Sequence, residues 1–102
     1  MKPIDLRERD LATLRGIFAR FPSVREVRLF GSRATGRARR ASDIDLAVFA
    51  PEAISEWPRL IEALETAPII HELDVVRTEQ TGNRRLLEKI EREGVVIYPA
   101  QP

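Results

Sequence analysis

The sequence predicts a small α/β fold, a mixed β-sheet flanked by helices. Three observations carry that expectation. Apolar residues recur at helical spacing over residues 5–20, 55–66 and 81–93. Shorter apolar stretches at 24–30, 43–49, 69–76 and 95–98 suit strands. The resulting order is helix, strand, strand, helix, strand, helix, strand, which a mixed sheet covered by helices accommodates.

The first helix carries Leu6, Leu14, Ile17, Phe18 and Phe21 on one side, and Pro22-Ser23 ends it. The first strand, 24–30, runs into Gly31-Ser32, which opens a short helical turn that Gly36 breaks. Arg33 lies within this turn, and Arg37, Arg39 and Arg40 follow it in a loop. Ser42 leads into the second strand, 43–49. Strand side chains alternate faces, so Asp43 and Asp45 point one way while Ile44, Leu46 and Val48 point the other. Trp57, Leu60, Ile61 and Leu64 form the apolar stripe of the second long helix, and Pro68 closes it. On the third strand Leu73 and Val75 share one face, and Glu72, Asp74 and Val76 the other. The last helix directs Leu86, Leu87 and Ile90 inward, pairs Glu88 with Arg92, and stops at Gly94.

Composition bounds the function classes. A chain of 102 residues suits one compact domain spanning 1–102. With 43% hydrophobic and 32% charged residues it reads as an ordinary globular protein. A net charge of +1 and the lack of a basic stripe argue against a nucleic-acid partner. The sequence contains no cysteine, which removes disulfides, zinc–thiolate sites and thiol catalysis. The start, Met1-Lys2-Pro3-Ile4-Asp5, is too charged for a secretory signal, and no apolar run approaches the roughly 20 residues that span a bilayer. A cytoplasmic location is the default.

The candidate site combines three features. Gly31-Ser32 follows a strand, where backbone N–H groups and a hydroxyl suit phosphate oxygens. Asp43 and Asp45 hold two like charges on one strand face, and a cation is the usual reason to do so. Asp74 lies mid-strand among apolar neighbours, uncommon for a charge without a partner. Oxygen ligands from three aspartates suit two Mg²⁺ ions, with Mn²⁺ a second choice, and disfavour zinc. Such ions clamp phosphoryl-type displacements, and the loop arginines suit phosphate charge. Neither the P-loop nor the Gly-x-Gly-x-x-Gly pattern is present. His71, the only histidine, reads as structural or solvent-facing, Trp57 as core, and Arg84-Arg85 as helix surface.

The run Gly31-Ser32-x-Ala34-x-Gly36 followed by Ser42-Asp43-Ile44-Asp45-Leu46 resembles the signature of the DNA polymerase β-like nucleotidyltransferase superfamily. Within it, the short length is similar to that of the minimal nucleotidyltransferases, the MNT proteins. Asp74 stands where that family places its third carboxylate, and Gly94-Val95-Val96-Ile97-Tyr98 resembles its ending. The resemblance implies the polymerase β-like fold and transfer of a nucleoside monophosphate, AMP from ATP, to an acceptor. It implies that Gly31 and Ser32 hold the triphosphate, helped by Arg33, Arg40 and Ser42. It implies that Asp43, Asp45 and Asp74 are catalytic metal ligands, with Asp74 assisting deprotonation of the acceptor. MNT proteins pair with HEPN-type toxins, and some transfer AMP to a tyrosine of that toxin. The implied partner is therefore a HEPN-type toxin in a hetero-oligomer. The chain's closing residues, to Pro102, leave no second-substrate domain in this reading, which favours a protein acceptor. An antitoxin acting by contact alone, and a small-molecule transferase of the aminoglycoside type, stand as alternatives.

Overall fold

The computed structural model describes residues 4–52 and 55–100. The opening Met1-Lys2-Pro3 and the final Pro102 lie outside them. The elements are α1 (Glu8–Ala19), β1 (Glu26–Phe30), α2 (Ser32–Thr35), β2 (Ile44–Phe49), α3 (Trp57–Glu65), β3 (Leu73–Arg77), α4 (Arg84–Glu93) and β4 (Val95–Tyr98). The expected mixed α/β architecture is present. Four strands form one sheet in the order β3-β2-β1-β4. β1 is antiparallel to β2 and β4, while β2 and β3 are parallel. A parallel pair needs a crossover, and α3 supplies it.

One sheet face is covered by α1 and α3. Leu14, Ile17, Phe18 and Phe21, with Leu60 and Leu64, pack there on Val27, Leu29, Ile44, Leu46 and Val48. Ile44, Leu46 and Val48 are fully buried, as strand alternation requires. On the other face a smaller cluster joins Phe30, Ala47 and Ile90 of α4, with Phe49, Val76 and Leu86 at its border. Arg28 reaches from β1 to Glu91 of α4 at 3.1 Å and lies over the Phe49 ring. Near Asp45 this face is only partly covered.

The structure corrects several expectations. β3 begins at Leu73, not residue 69, and Ile70 is 81% exposed. α4 begins at Arg84 because Asn83 caps it, accepting a hydrogen bond from the Leu86 N–H. Leu87 sits at the edge of the α4 stripe and is exposed, since it is turned about 100° from Leu86. Arg92 approaches its neighbour Glu93 rather than Glu88. Asp10 is an unexpected core residue, 1% exposed, with its carboxylate on Arg7 at 3.1 Å. No helix among the described residues is long and apolar enough to cross a membrane.

Candidate active site

The site begins where β1 turns into α2. Gly31 adopts φ 75° and ψ −155°, a combination essentially restricted to glycine. A Cβ built there would also overlap an Asp45 carboxylate oxygen. Two separate constraints therefore require glycine. The register explains the second, because Phe30, the residue before Gly31, pairs with Asp45. The Gly31 carbonyl accepts the Ala34 and Thr35 N–H groups at 3.1 Å, starting the α2 turn. Gly36 closes that turn in the left-handed region, at φ 80°. Ser32 is half-buried at the head of α2. The first N–H groups of such a turn have no partner within the helix.

Gly31→Ala should destabilise the fold by roughly 1–3 kcal/mol from the backbone conformation alone. Thermal denaturation should therefore show a drop in melting temperature on the order of 10 °C. A variant that melts with the wild type would mean the corner relaxes without penalty.

The carboxylates come from two parallel strands. Asp45 and Asp74 are directly paired in the β2–β3 register. Asp45 is half-buried, whereas Asp43 and Asp74 are exposed. Burial raises the Asp45 carboxyl above its usual range, and the charge of Asp74 adds to this. Lys89 on α4 works in the opposite direction, and Asp43 raises it further. Hydrogen bonding with Asp74 acts in the same direction and is the smallest of these causes. Lys89, one of the two lysines, was not singled out by sequence; its place over the sheet depends on how α4 docks.

The donor set is oxygen only, which fits a hard divalent cation rather than zinc. Gly31 has no Cβ, and the Asp45 carboxylate takes up the space where one would stand. Among the described residues, no group of three Asp, Glu or His side chains is drawn together tightly enough to enclose an ion. The close pair is Asp45 with Asp74; Asp43 lies two residues earlier, with its side chain in solvent.

The remaining nucleotide candidates fall into different places. Arg40 is exposed on the loop. The Ser42 hydroxyl accepts the Arg39 N–H at 2.8 Å, and the Ser42 N–H returns to the Arg39 carbonyl at 3.0 Å, closing a tight turn. Arg33 is 5% exposed and turned into the protein. Its guanidinium donates to the Ser42 carbonyl at 3.1 and 2.7 Å and to the Asp5 carbonyl at 3.1 Å. His71 lies 3.3 Å from it, so the histidine is structural but not partnerless. A cavity of about 510 Å³ opens between α3 and β3, lined by Ile61, Ile69, Leu73 and Val75. Those strand residues face away from Asp74, so this cavity is separate from the carboxylates.

The site is thus a strand-to-turn corner beside paired strand carboxylates on a mixed sheet. The family model "Polymerase beta, Nucleotidyltransferase" matches residues 12–102. The chain belongs to that family. Solved structures agree on the fold. A toxin–antitoxin crystal structure with AMP-PNP superposes with a TM-score of 0.65 at 24% identity, covering 90% of this chain and 75% of that one. A toxin–antitoxin MntA-HpeT structure with two aspartates changed to glutamate gives 0.61 at 24% identity, covering 94% and 76%. A tyrosine-to-alanine variant of MntA-HpeT gives 0.59 at 25% identity, covering 94% and 75%. These neighbours share the chain's fold. No curated protein matches the sequence.

Proposed function

We propose that this chain transfers AMP from ATP to a protein hydroxyl, a tyrosine of a HEPN-type toxin, and so serves as the antitoxin of that pair in the cytoplasm. The observation that carries the reading is the Asp45–Asp74 pair against Gly31. Like charges held together at a strand end destabilise a fold, so a ligand that relieves them gives the arrangement a purpose. Family membership supports nucleotidyl transfer. A neighbour crystallised with AMP-PNP as a toxin–antitoxin supports an adenine nucleotide and a toxin partner.

In this reading Asp43, Asp45 and Asp74 hold two Mg²⁺ ions, or Mn²⁺. Bound ions would supply charge neutralisation for the triphosphate and its leaving group. The chain's own residues do the rest. Gly31 and Ser32 seat the phosphate oxygens, and Arg40 offers a cation from the loop. The acceptor oxygen attacks the α-phosphorus, and the bond from that phosphorus to its bridging oxygen breaks. Pyrophosphate leaves, and the hydroxyl proton passes to the Asp74 carboxylate. Asp74 suits that role because it is solvent-exposed on the edge strand β3. The test is incubation with labelled ATP, Mg²⁺ and the co-expressed partner, followed by mass spectrometry of that partner. An added AMP on a tyrosine supports the reading.

The Ser32 hydroxyl makes a charge-assisted hydrogen bond to phosphate here, worth roughly 1.5–3 kcal/mol. Ser32→Ala should therefore weaken ATP binding about ten- to a hundredfold, measured by calorimetry. The ligand-free melting temperature should hardly move. Unchanged affinity would reduce Ser32 to a turn residue.

A further inference from the structure

Arg33 belongs by sequence to the group of loop arginines suited to phosphate. The structure gives it a different place. Its guanidinium is buried, and arginine carries no acceptor, so every polar contact it makes is a donation. Nε and Nη2 both donate to the Ser42 carbonyl, at 3.1 and 2.7 Å, and Nη1 donates to the Asp5 carbonyl at 3.1 Å. Nη2 also meets His71 Nδ1 at 3.3 Å, so that nitrogen accepts and the ring proton sits on Nε2. The Asp5 carboxylate lies 3.8 Å away and balances the buried charge from the protein's edge. The backbone returns the contact, because the Asp5 N–H donates to the Arg33 carbonyl at 2.8 Å.

Those partners are not scattered. The Ser42 carbonyl belongs to the peptide unit whose N–H is that of Asp43. One residue on, the Ile44 N–H bonds the Glu72 carbonyl at 2.9 Å and starts the β2–β3 pairing. Arg33 itself follows Ser32 directly and lies in the α2 turn. A single planar fork thus ties the Gly31-Ser32 turn, the peptide leading into Asp43, the His71 approach to β3 and the segment around Asp5. The fork geometry matters because a lysine ammonium cannot span the two carbonyls as a rigid plane.

We propose that Arg33 is a positioning residue. It holds Asp43 and the Gly31-Ser32 turn in fixed relation from behind and does not itself touch the nucleotide. This deepens the proposed function and rests on its assignment of the triphosphate to Gly31-Ser32.

The first measurement needs only the wild-type chain. In ¹H–¹⁵N spectra the Arg33 Nε–H should be protected from solvent exchange in ligand-free protein. On adding Mg²⁺–ATP it should shift less than the Ser32 amide. A rapidly exchanging Nε–H, or one that shifts more than Ser32, would overturn the proposal. The second measurement compares Arg33→Lys with Arg33→Met. A phosphate contact would survive in the lysine variant, because an ammonium binds phosphate as a point charge. A positioning fork would not, so both variants should lose about tenfold in ATP affinity, within about threefold of each other. Arg33→Lys should also shift the Asp43 amide resonance in the ligand-free state. Lysine retaining wild-type affinity would again overturn the proposal. If the variants fail to fold, the wild-type exchange and shift data decide alone. If the wild type binds no ATP at all, the nucleotide assignment fails. Nε–H protection and the Asp43 shift in Arg33→Lys then still decide whether the clasp exists.

Discussion

Adding Mg²⁺ with ATP should raise the melting temperature of the wild-type chain on the order of 10 °C. Ligand at about 100 times its dissociation constant stabilises the native state by about 2.7 kcal/mol, and a domain of this size converts that into such a shift. Asp45→Asn should abolish most of the rise. The same substitution should act oppositely on the ligand-free protein. Asp45 is half-buried beside Asp74, and burial followed by the neighbouring charge raises its carboxyl above the usual range. The folded state therefore binds the Asp45 proton more tightly than the unfolded state does. Stability from this group is full below the unfolded value and is lost as pH rises through the folded one. Above that folded value the wild type carries the penalty. Ligand-free Asp45→Asn, which has no such charge, should melt higher there, and the difference should shrink towards acid. Differential scanning fluorimetry across pH, with and without Mg²⁺–ATP, reads both effects. A wild type that melts identically with and without Mg²⁺–ATP would sink the assignment of the site.

The parts of this site that the sequence displays are those governed by local rules. Strand alternation placed Asp43 and Asp45 opposite Ile44, Leu46 and Val48, and these three are fully buried. The change from an apolar strand to Gly31-Ser32 marked the corner, and the positive φ at Gly31 is a local demand of that corner. What stayed hidden depends on how distant segments meet. The pairing of Asp45 with Asp74 is set by the parallel register across the α3 crossover, to which no single stretch refers. Arg33 looks like Arg37, Arg39 and Arg40 in composition, yet it alone of the four is buried. Its neighbour Ala34, also buried, shows that this part of the turn faces inward. Asp10 escaped notice because a carboxylate in a first helical turn ordinarily faces solvent, where it favours the helix dipole. Ile69 and Ile70 read as strand from composition, but the pairing starts only at Leu73.

Co-expressed with the proposed toxin partner, the wild-type chain should leave that partner carrying AMP on a tyrosine, whereas Asp43→Asn and Asp45→Asn should leave it unmodified. The two variants should still co-purify with the partner in wild-type amounts. The physical reason is a division of surfaces. Asp45 is set into the sheet beside Gly31, and its carboxylate faces the corner that would seat a triphosphate. Asp74, at the same level on edge strand β3, is exposed where an incoming hydroxyl can reach it. Removing charge from one carboxylate leaves side-chain shape almost unchanged, so a docking surface loses little. The stabilisation of developing charge is lost instead, and sites that lose such a group typically slow by about 10²–10³-fold or more. Time courses of partner modification would give that ratio, and size-exclusion chromatography would report assembly. Loss of the complex in both variants would make the aspartates docking residues. A partner that stays unmodified with the wild-type chain, yet is still inhibited, would replace catalysis with inhibition by contact. In that case the Mg²⁺–ATP stabilisation would mark a ligand of the binder rather than a substrate of an enzyme.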